Sequence, residues 1–398
     1  MTGVGDKRFS TKSLLVGIAA MVVVVAASGA AVLVYLDRSQ AGAGEPGPGC
    51  REVKPEKFHM DAVSDVSPSG DYLLGSREGD DRVVHDNDKP VRIWPKVSDA
   101  FDVSYSDFGA QSRTVDVNSS GDVLGEVQLP IEGTNRLTDT KFLLRDGKIN
   151  ELKPPAGYSD DWDLRLSGLS EDGSVTGTVS GSGSGSGAES SPLRWLPGAY
   201  AEPTVLEPLD ENVATGEDVN ADGVVVGFGY ARPDGEEAYE VDKVLAWSPD
   251  GERTELPFDT SGFDEADYSL PEIAGDWILL GEYRWKLGSD TKPQKVKPSD
   301  TYSGDIGEEM YESGIGGDRS IDANGRVYGI DGAEPVVETG GELKPLPVKP
   351  KPESGDGTEY SGSRPTAVSD NGRVVIGEHD YLDYENSTSQ SFLWMCGQ

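Results

Sequence analysis

DVNSSGDVLG (116–125) and AVSDNGRVVIG (367–377) are two copies of one short pattern, and five more occur along the chain: DVSPSGDYLLG (65–75), GLSEDGSVTG (168–177), DVNADGVVVG (218–227), EIAGDWILLG (272–281) and SIDANGRVYG (320–329). The closing glycines, Gly75, Gly125, Gly177, Gly227, Gly281, Gly329 and Gly377, lie 50, 52, 50, 54, 48 and 48 residues apart. A period near 50 residues marks a repeat architecture, in which each unit buries its apolar face only against its neighbours.

Within a copy, a polar Asn/Ser-x-x-Gly turn is followed by a short Val/Leu/Ile run. Glycine supplies the positive φ of the turn, Asn and Asp tolerate it, and short β-branched runs suit strands better than helices. Each copy therefore reads as a β-hairpin. A second apolar run follows in each unit: VRIW (91–94), FLLRDG (142–147), LRWLPG (193–198), VLAWSPDG (244–251), YRWKLG (283–288), VVETGG (336–341) and SFLWMCG (391–397). Several of these lead into a Leu/Pro segment such as ELKP (151–154) or ELKPLP (342–347). The pattern predicts four short antiparallel strands per unit and an all-β fold, a seven-bladed β-propeller. An open stack of the same units is the alternative, and it would need capping at both ends.

The termini favour a closed ring. The last unit has no fourth strand, and CREVKP, from Cys50, has the character of a fourth strand without its unit. Strand 50–55 is expected to pair with 391–397 and complete the seventh blade within a domain spanning 50–398. The chain's two cysteines, Cys50 and Cys396, meet at that seam and are expected to form a disulfide. Closing so long a loop contributes about 4–5 kcal/mol in the chain-entropy account.

Residues 13–36, SLLVGIAAMVVVVAASGAAVLVYL, form an uncharged apolar run of 24 residues, long enough as a helix to cross a hydrocarbon core of about 30 Å. Lys7, Arg8 and Lys12 precede it and predict a cytoplasmic tail over 1–12. A signal anchor fits better than a cleaved signal peptide, whose apolar region is shorter and ends in a small-residue cleavage site. Residues 37–49 read as a flexible Gly/Pro linker. The expected place is the cell membrane, single-pass, with the C-terminal domain extracytoplasmic, where a disulfide persists. With 71 acidic against 35 basic side chains the net charge is −36, which argues against nucleic acid or an anionic surface as partner.

The unit, best seen in AVSDNGRVVIG with SFLWMCG and in DVNSSGDVLG with KFLLRDG, resembles the HAF repeats of bacterial extracellular proteins, over essentially residues 51–397. The tripeptide His-Ala-Phe that names those repeats is absent: the third strand opens with Gln390-Ser391-Phe392 or Thr140-Lys141-Phe142. The resemblance implies an exported propeller and no particular activity.

In a four-stranded blade, the turns after strands one and three share one face of the ring, and the connections after strands two and four share the other. The first set is tight. The second is long and mixes carboxylates with aromatics, in 76–89, 97–111, 156–166, 228–243, 259–268, 299–314 and 378–390. Aromatics give rigid contact area, and carboxylates accept hydrogen bonds and attract cations. Tyr105, Phe108, Tyr158, Trp162, Phe263, Tyr268, Tyr302, Tyr311, Tyr381 and Tyr384 are the candidate binding residues, with solvated acidic loops as the plainer alternative. Asp218, Asn220 and Asp222 match the start of a calcium loop, but its bidentate glutamate is missing, Gly229 standing there. No cofactor is expected beyond this weak calcium candidate. His59, His85 and His379 lack metal-ligand spacing, and no catalytic residue can be named. Trp94, Trp195, Trp247, Trp285 and Trp394 recur at one repeat position and are expected to pack between blades. The expected function is a binding or scaffold module for an extracytoplasmic protein, a cell-wall glycan or a cationic ligand. The alternative is a glycan hydrolase or lyase with carboxylates at the channel mouth.

Overall fold

A computed structural model describes residues 49–397 apart from 59, 61, 78–80, 87–88, 93–99, 102–111, 131–136, 159–161, 182–189, 208–212, 232–239, 261–269, 299–318, 333, 349–358 and 383–386. They form seven four-stranded antiparallel sheets, the blades of a β-propeller. The first strands of blades 1 to 7 are Ala62–Val66, Ser112–Val117, Asp163–Leu169, Ala214–Val219, Glu272–Ala274, Ser320–Ile321 and Glu359–Val368. Each first strand touches that of the next blade, and that of blade 7 touches that of blade 1, so the ring is closed. The propeller belongs to one compact unit, Glu45–Gln398. The apolar run 13–36, the tail and most of the linker lie outside the described residues, among which no helix is long and apolar enough to cross a membrane.

Blade 7 takes its outer strand from the other end of the chain. Arg51–Val53 pairs with Ser387–Met395 through Arg51↔Met395, Glu52↔Trp394 and Val53↔Leu393. This closing strand is shorter than expected from 50–55, because Pro55 cannot donate to the ladder and opens the 3-10 turn Pro55–Phe58. Cys50 is disulfide-bonded to Cys396 across a sequence separation of 346. Met395 lies opposite Val374, beside the tight turn of blade 7, so the chain enters the propeller at its tight-turn face.

Blade 1 departs from the expected strand assignment. Its third strand is Asp81–Asp86, which had been assigned to a long connection, and VRIW supplies only the end of the fourth strand, Lys89–Arg92. Val83 and Val84 pair with Gly75 and Leu74, and Val84 pairs outward with Val91, so the β-branched pair takes the inner position. His85 is thus on a strand, and Trp94 lies outside the described residues.

The turns form as the residue types dictate. Asn118 Oδ1 accepts the N–H groups of Ser120 and Asp122, both at 3.0 Å, and Gly121 closes the turn at φ 76°. The closing glycines serve another purpose. The first strands of blades 1 to 4 and 7 carry a bulge just before the turn, opposite that glycine. A Cβ on Gly177 would lie 2.4 Å from the Arg165 carbonyl oxygen, and one on Gly227 only 1.8 Å from that of Thr215. Trp195, Trp247 and Trp394 are fully buried, and each indole N–H donates to a carbonyl where the preceding blade ends: Lys153 at 2.9 Å, Glu207 at 2.9 Å and Pro347 at 2.7 Å. Trp285 is buried too but bonds within its own blade, to Thr291.

Candidate functional site: an axial cavity

In blades 1 to 4 and 7 the bulge lies just before the first residue of the motif copy, and in every blade but the third that residue lines a cavity on the axis. That position holds Asp65, Asp116, Gly168, Asp218, Glu272, Ser320 and Ala367 in blades 1 to 7. Residues of all seven blades line one cavity of about 240 Å³ at the tight-turn end of the axis, and no Lys or Arg is among them.

These side chains bond one blade to the next. The Asp65 carboxyl takes the N–H of Val66 at 2.7 Å and that of Val117 in blade 2. Asp116 accepts from Val117 at 2.6 Å and, through its other oxygen, from Leu169 of blade 3 at 2.7 Å. Asp218 repeats the arrangement, with Val219 at 2.7 Å and Ile273 of blade 5 at 2.8 Å. Glu272 Oε1 accepts from Ile321 of blade 6 at 3.0 Å, and the Ser320 hydroxyl donates to the Thr366 carbonyl of blade 7 at 3.2 Å. Blade 3 has glycine at this position, and the Ser167 hydroxyl reaches the Gly216 carbonyl of blade 4 instead, at 2.5 Å.

Burial shapes the acidity of the ring. Asp65 and Asp116 are hydrogen-bonded to each other, and loss of hydration raises both above the usual carboxylate range. Burial, with the charges of Asp116 and Asp370 behind it, pushes Asp218 up to about 8 against the pull of its two N–H donors. Asp370, at the rim, is raised to about 6 by burial and by Glu171, Asp322, Asp116 and Asp222.

Two further belts surround the cavity. At the turns, Asn118 donates to the Ser170 carbonyl at 3.2 Å, Asn220 to that of Gly275 at 2.6 Å and Asn371 to that of Ser69 at 2.6 Å, each in the next blade. Farther out, Arg194 grips the carbonyls of Ser248, Pro249 and Gly223 in blade 4 at 2.7 to 2.9 Å. Arg284 donates to Gly325 of blade 6 at 2.7 Å and to Glu338 at 3.0 Å.

The calcium reading of blade 4 does not fit these contacts. Asn220 Oδ1 takes the N–H groups of Asp222 and Val224, and both Asp218 oxygens are engaged. Among the described residues no group of three or more His, Cys, Asp or Glu side chains is placed to hold a metal ion. Of the candidate binding aromatics, Tyr158 and Trp162 meet edge to face at 4.6 Å and pack, half-buried, on the core between blades 2 and 3. Tyr381 is half-buried on the strand Val374–Leu382, where burial and Glu52 raise its hydroxyl's pKa. Tyr105, Phe108, Phe263, Tyr268, Tyr302, Tyr311 and Tyr384 lie outside the described residues, as does His59. His379 is on a strand, not in a loop; it stacks on Phe392 at 3.9 Å, and its Nδ1 lies 2.7 Å from the Ser363 hydroxyl.

No protein-family model matches the chain, and no curated protein does. Among solved structures it is similar, at 10% identity, to the gluconolactonase of Xanthomonas campestris (TM-score 0.35, 89% of this chain and 97% of that one). A neuraminidase-like protein from A/flat-faced bat/Peru is similar at 10% identity (TM-score 0.34, 89% of this chain and 96% of that one). A mutant of AofleA from Arthrobotrys oligospora gives 10% identity and a TM-score of 0.27 over 90% of this chain and 96% of that one.

Proposed function

We propose that this chain is a membrane-anchored, extracytoplasmic binding or scaffold module, carried by the apolar run 13–36 and the linker 37–49. It presents the connections after strands two and four to a protein, a glycan or a cationic ligand. One observation carries the reading: Asp65, Asp116, Asp218 and Glu272 are each bonded to a backbone N–H of the next blade. Carboxylates engaged in this way hold the ring together and are poorly placed to attack or protonate a substrate. Recognition then falls to the connections on the face opposite the tether. Blade 5 lacks a long connection after its second strand, where Gly281 and Glu282 alone join Trp277–Leu280 to Tyr283–Lys286, so that face is uneven.

The enzyme alternative has one observation in its favour, the raised carboxyl of Asp370 at the cavity rim. The two readings separate in a single experiment. Full-length protein immobilised in envelope extract is expected to retain a stoichiometric partner that is lost when Tyr268 and Tyr302 are changed to Ala at unchanged melting temperature. Turnover of a glycan panel that disappears in Asp370→Asn would replace the binding module with an enzyme.

A further inference from the structure

The axial cavity gathers carboxyl groups from several blades, and no Lys or Arg is among the described residues that line it. Asp65, Asp116, Asp218 and Glu272 stand on its wall and Asp370 closes its rim. The ionisable groups facing them are acidic as well: Glu171 near Asp116, and Glu171, Asp322 and Asp222 near Asp370. The Arg326 guanidinium, beside the turn of blade 7, is taken up by Asp322 at 2.5 Å and by the Asn371 carbonyl at 3.1 Å. Two carboxyl groups that hydrogen-bond to each other, as Asp65 and Asp116 do, need a proton between them, because two carboxylates have acceptors only. The same side chains hold neighbouring blades together, so their charge state and the closure of the ring are coupled.

We propose that the axial carboxyl ring is a proton-dependent lock, which draws the blades together while Asp65/Asp116 and Asp218 keep their protons and loosens as the pH rises and those protons leave.

The direction follows from linkage. A carboxyl held above its unfolded value, near 4, binds more protons folded than unfolded, so its stabilisation is complete below about pH 4 and declines at higher pH. With Asp370 raised to about 6 and Asp218 to about 8, the decline extends through neutrality to about pH 8. Most acidic proteins carry their stabilising carboxylates in the opposite sense and weaken on acidification.

The test is thermal unfolding of the full-length chain between pH 5 and pH 8.5, with Asp218→Asn and Asp250→Asn alongside. Asp250 is an exposed turn carboxylate absent from the cavity lining, and its replacement removes the same charge. The midpoint of the unaltered chain is expected to fall steadily as the pH rises. Asp218→Asn is expected to flatten that slope, and Asp250→Asn to leave it unchanged. A midpoint that rises towards pH 8, or slopes equal in all three proteins, overturns the proposal. If Asp218→Asn does not fold, calorimetry of the unaltered chain at pH 6, in buffers of different ionisation enthalpy, decides. Release of about two protons on unfolding supports the lock, and release of none contradicts it.

Discussion

Asn220 and Gly227 show how much one motif copy does. Asn220 shapes its own turn through two accepted N–H groups and reaches Gly275 of blade 5 with its amide. Replacement by Ala leaves buried turn donors and the Gly275 carbonyl short of partners, and is expected to cost about 1–3 kcal/mol in urea unfolding. Gly227→Ala drives a methyl group into the Thr215 carbonyl, and repair requires the bulge to move. A loss of about 1–3 kcal/mol is expected, with an unchanged m-value. The turn glycines were legible in the sequence because a polar Asn-x-x-Gly stretch states its own conformation. The reason for the closing glycines was not, since a bulge belongs to strand pairing and leaves no local mark. The same bulge hid the axial role of Asp65, Asp116 and Asp218, because an extra residue reverses the alternation that would otherwise tell which side chains face inward.

Trp247 joins blade 4 to the end of blade 3, as Trp195 and Trp394 do at their own junctions. Its replacement by Ala empties a fully buried site and is expected to cost about 3–5 kcal/mol, read as a lower melting temperature. Trp394→Phe keeps most of the apolar volume but leaves the Pro347 carbonyl without the indole donor, so a smaller loss of about 1 kcal/mol is expected. These elements could be read from the repeat because the third strands of blades 3, 4, 5 and 7 each carry a Trp at or near their end, in LRW, LAW, YRW and FLW. Blade 1 could not: DRVVHD looked like a charged connection, and only its pairing with Tyr72–Arg77 shows that Val83 and Val84 take the third-strand place. The candidate binding aromatics fared unevenly for a related reason. Tyr158 and Trp162 sit in a connection by sequence, yet they cover the blade 2–3 core, because an aromatic ring beside an open sheet edge gains more from packing than from hydration.

For the whole molecule, the period implied seven four-stranded units in a ring or an open stack, and the mismatch between the two chain ends favoured the ring and implied how it closes. The structure adds what makes the closure specific: Val53 lies opposite the buried Leu393, Glu52 opposite Trp394, and a disulfide ties the entry of the first strand to the exit of the last. Cys50→Ser with Cys396→Ser removes the covalent tie and keeps the three-residue pairing, so a loss of about 2–5 kcal/mol is expected while the fold is retained at low temperature. The central claim is this circular closure, and peptide mapping of the unreduced full-length protein tests it most directly. The account predicts one disulfide-linked pair of peptides, containing Cys50 and Cys396, that separates only on reduction. Recovery of both cysteines as free thiols, alkylated without reductant, would contradict it.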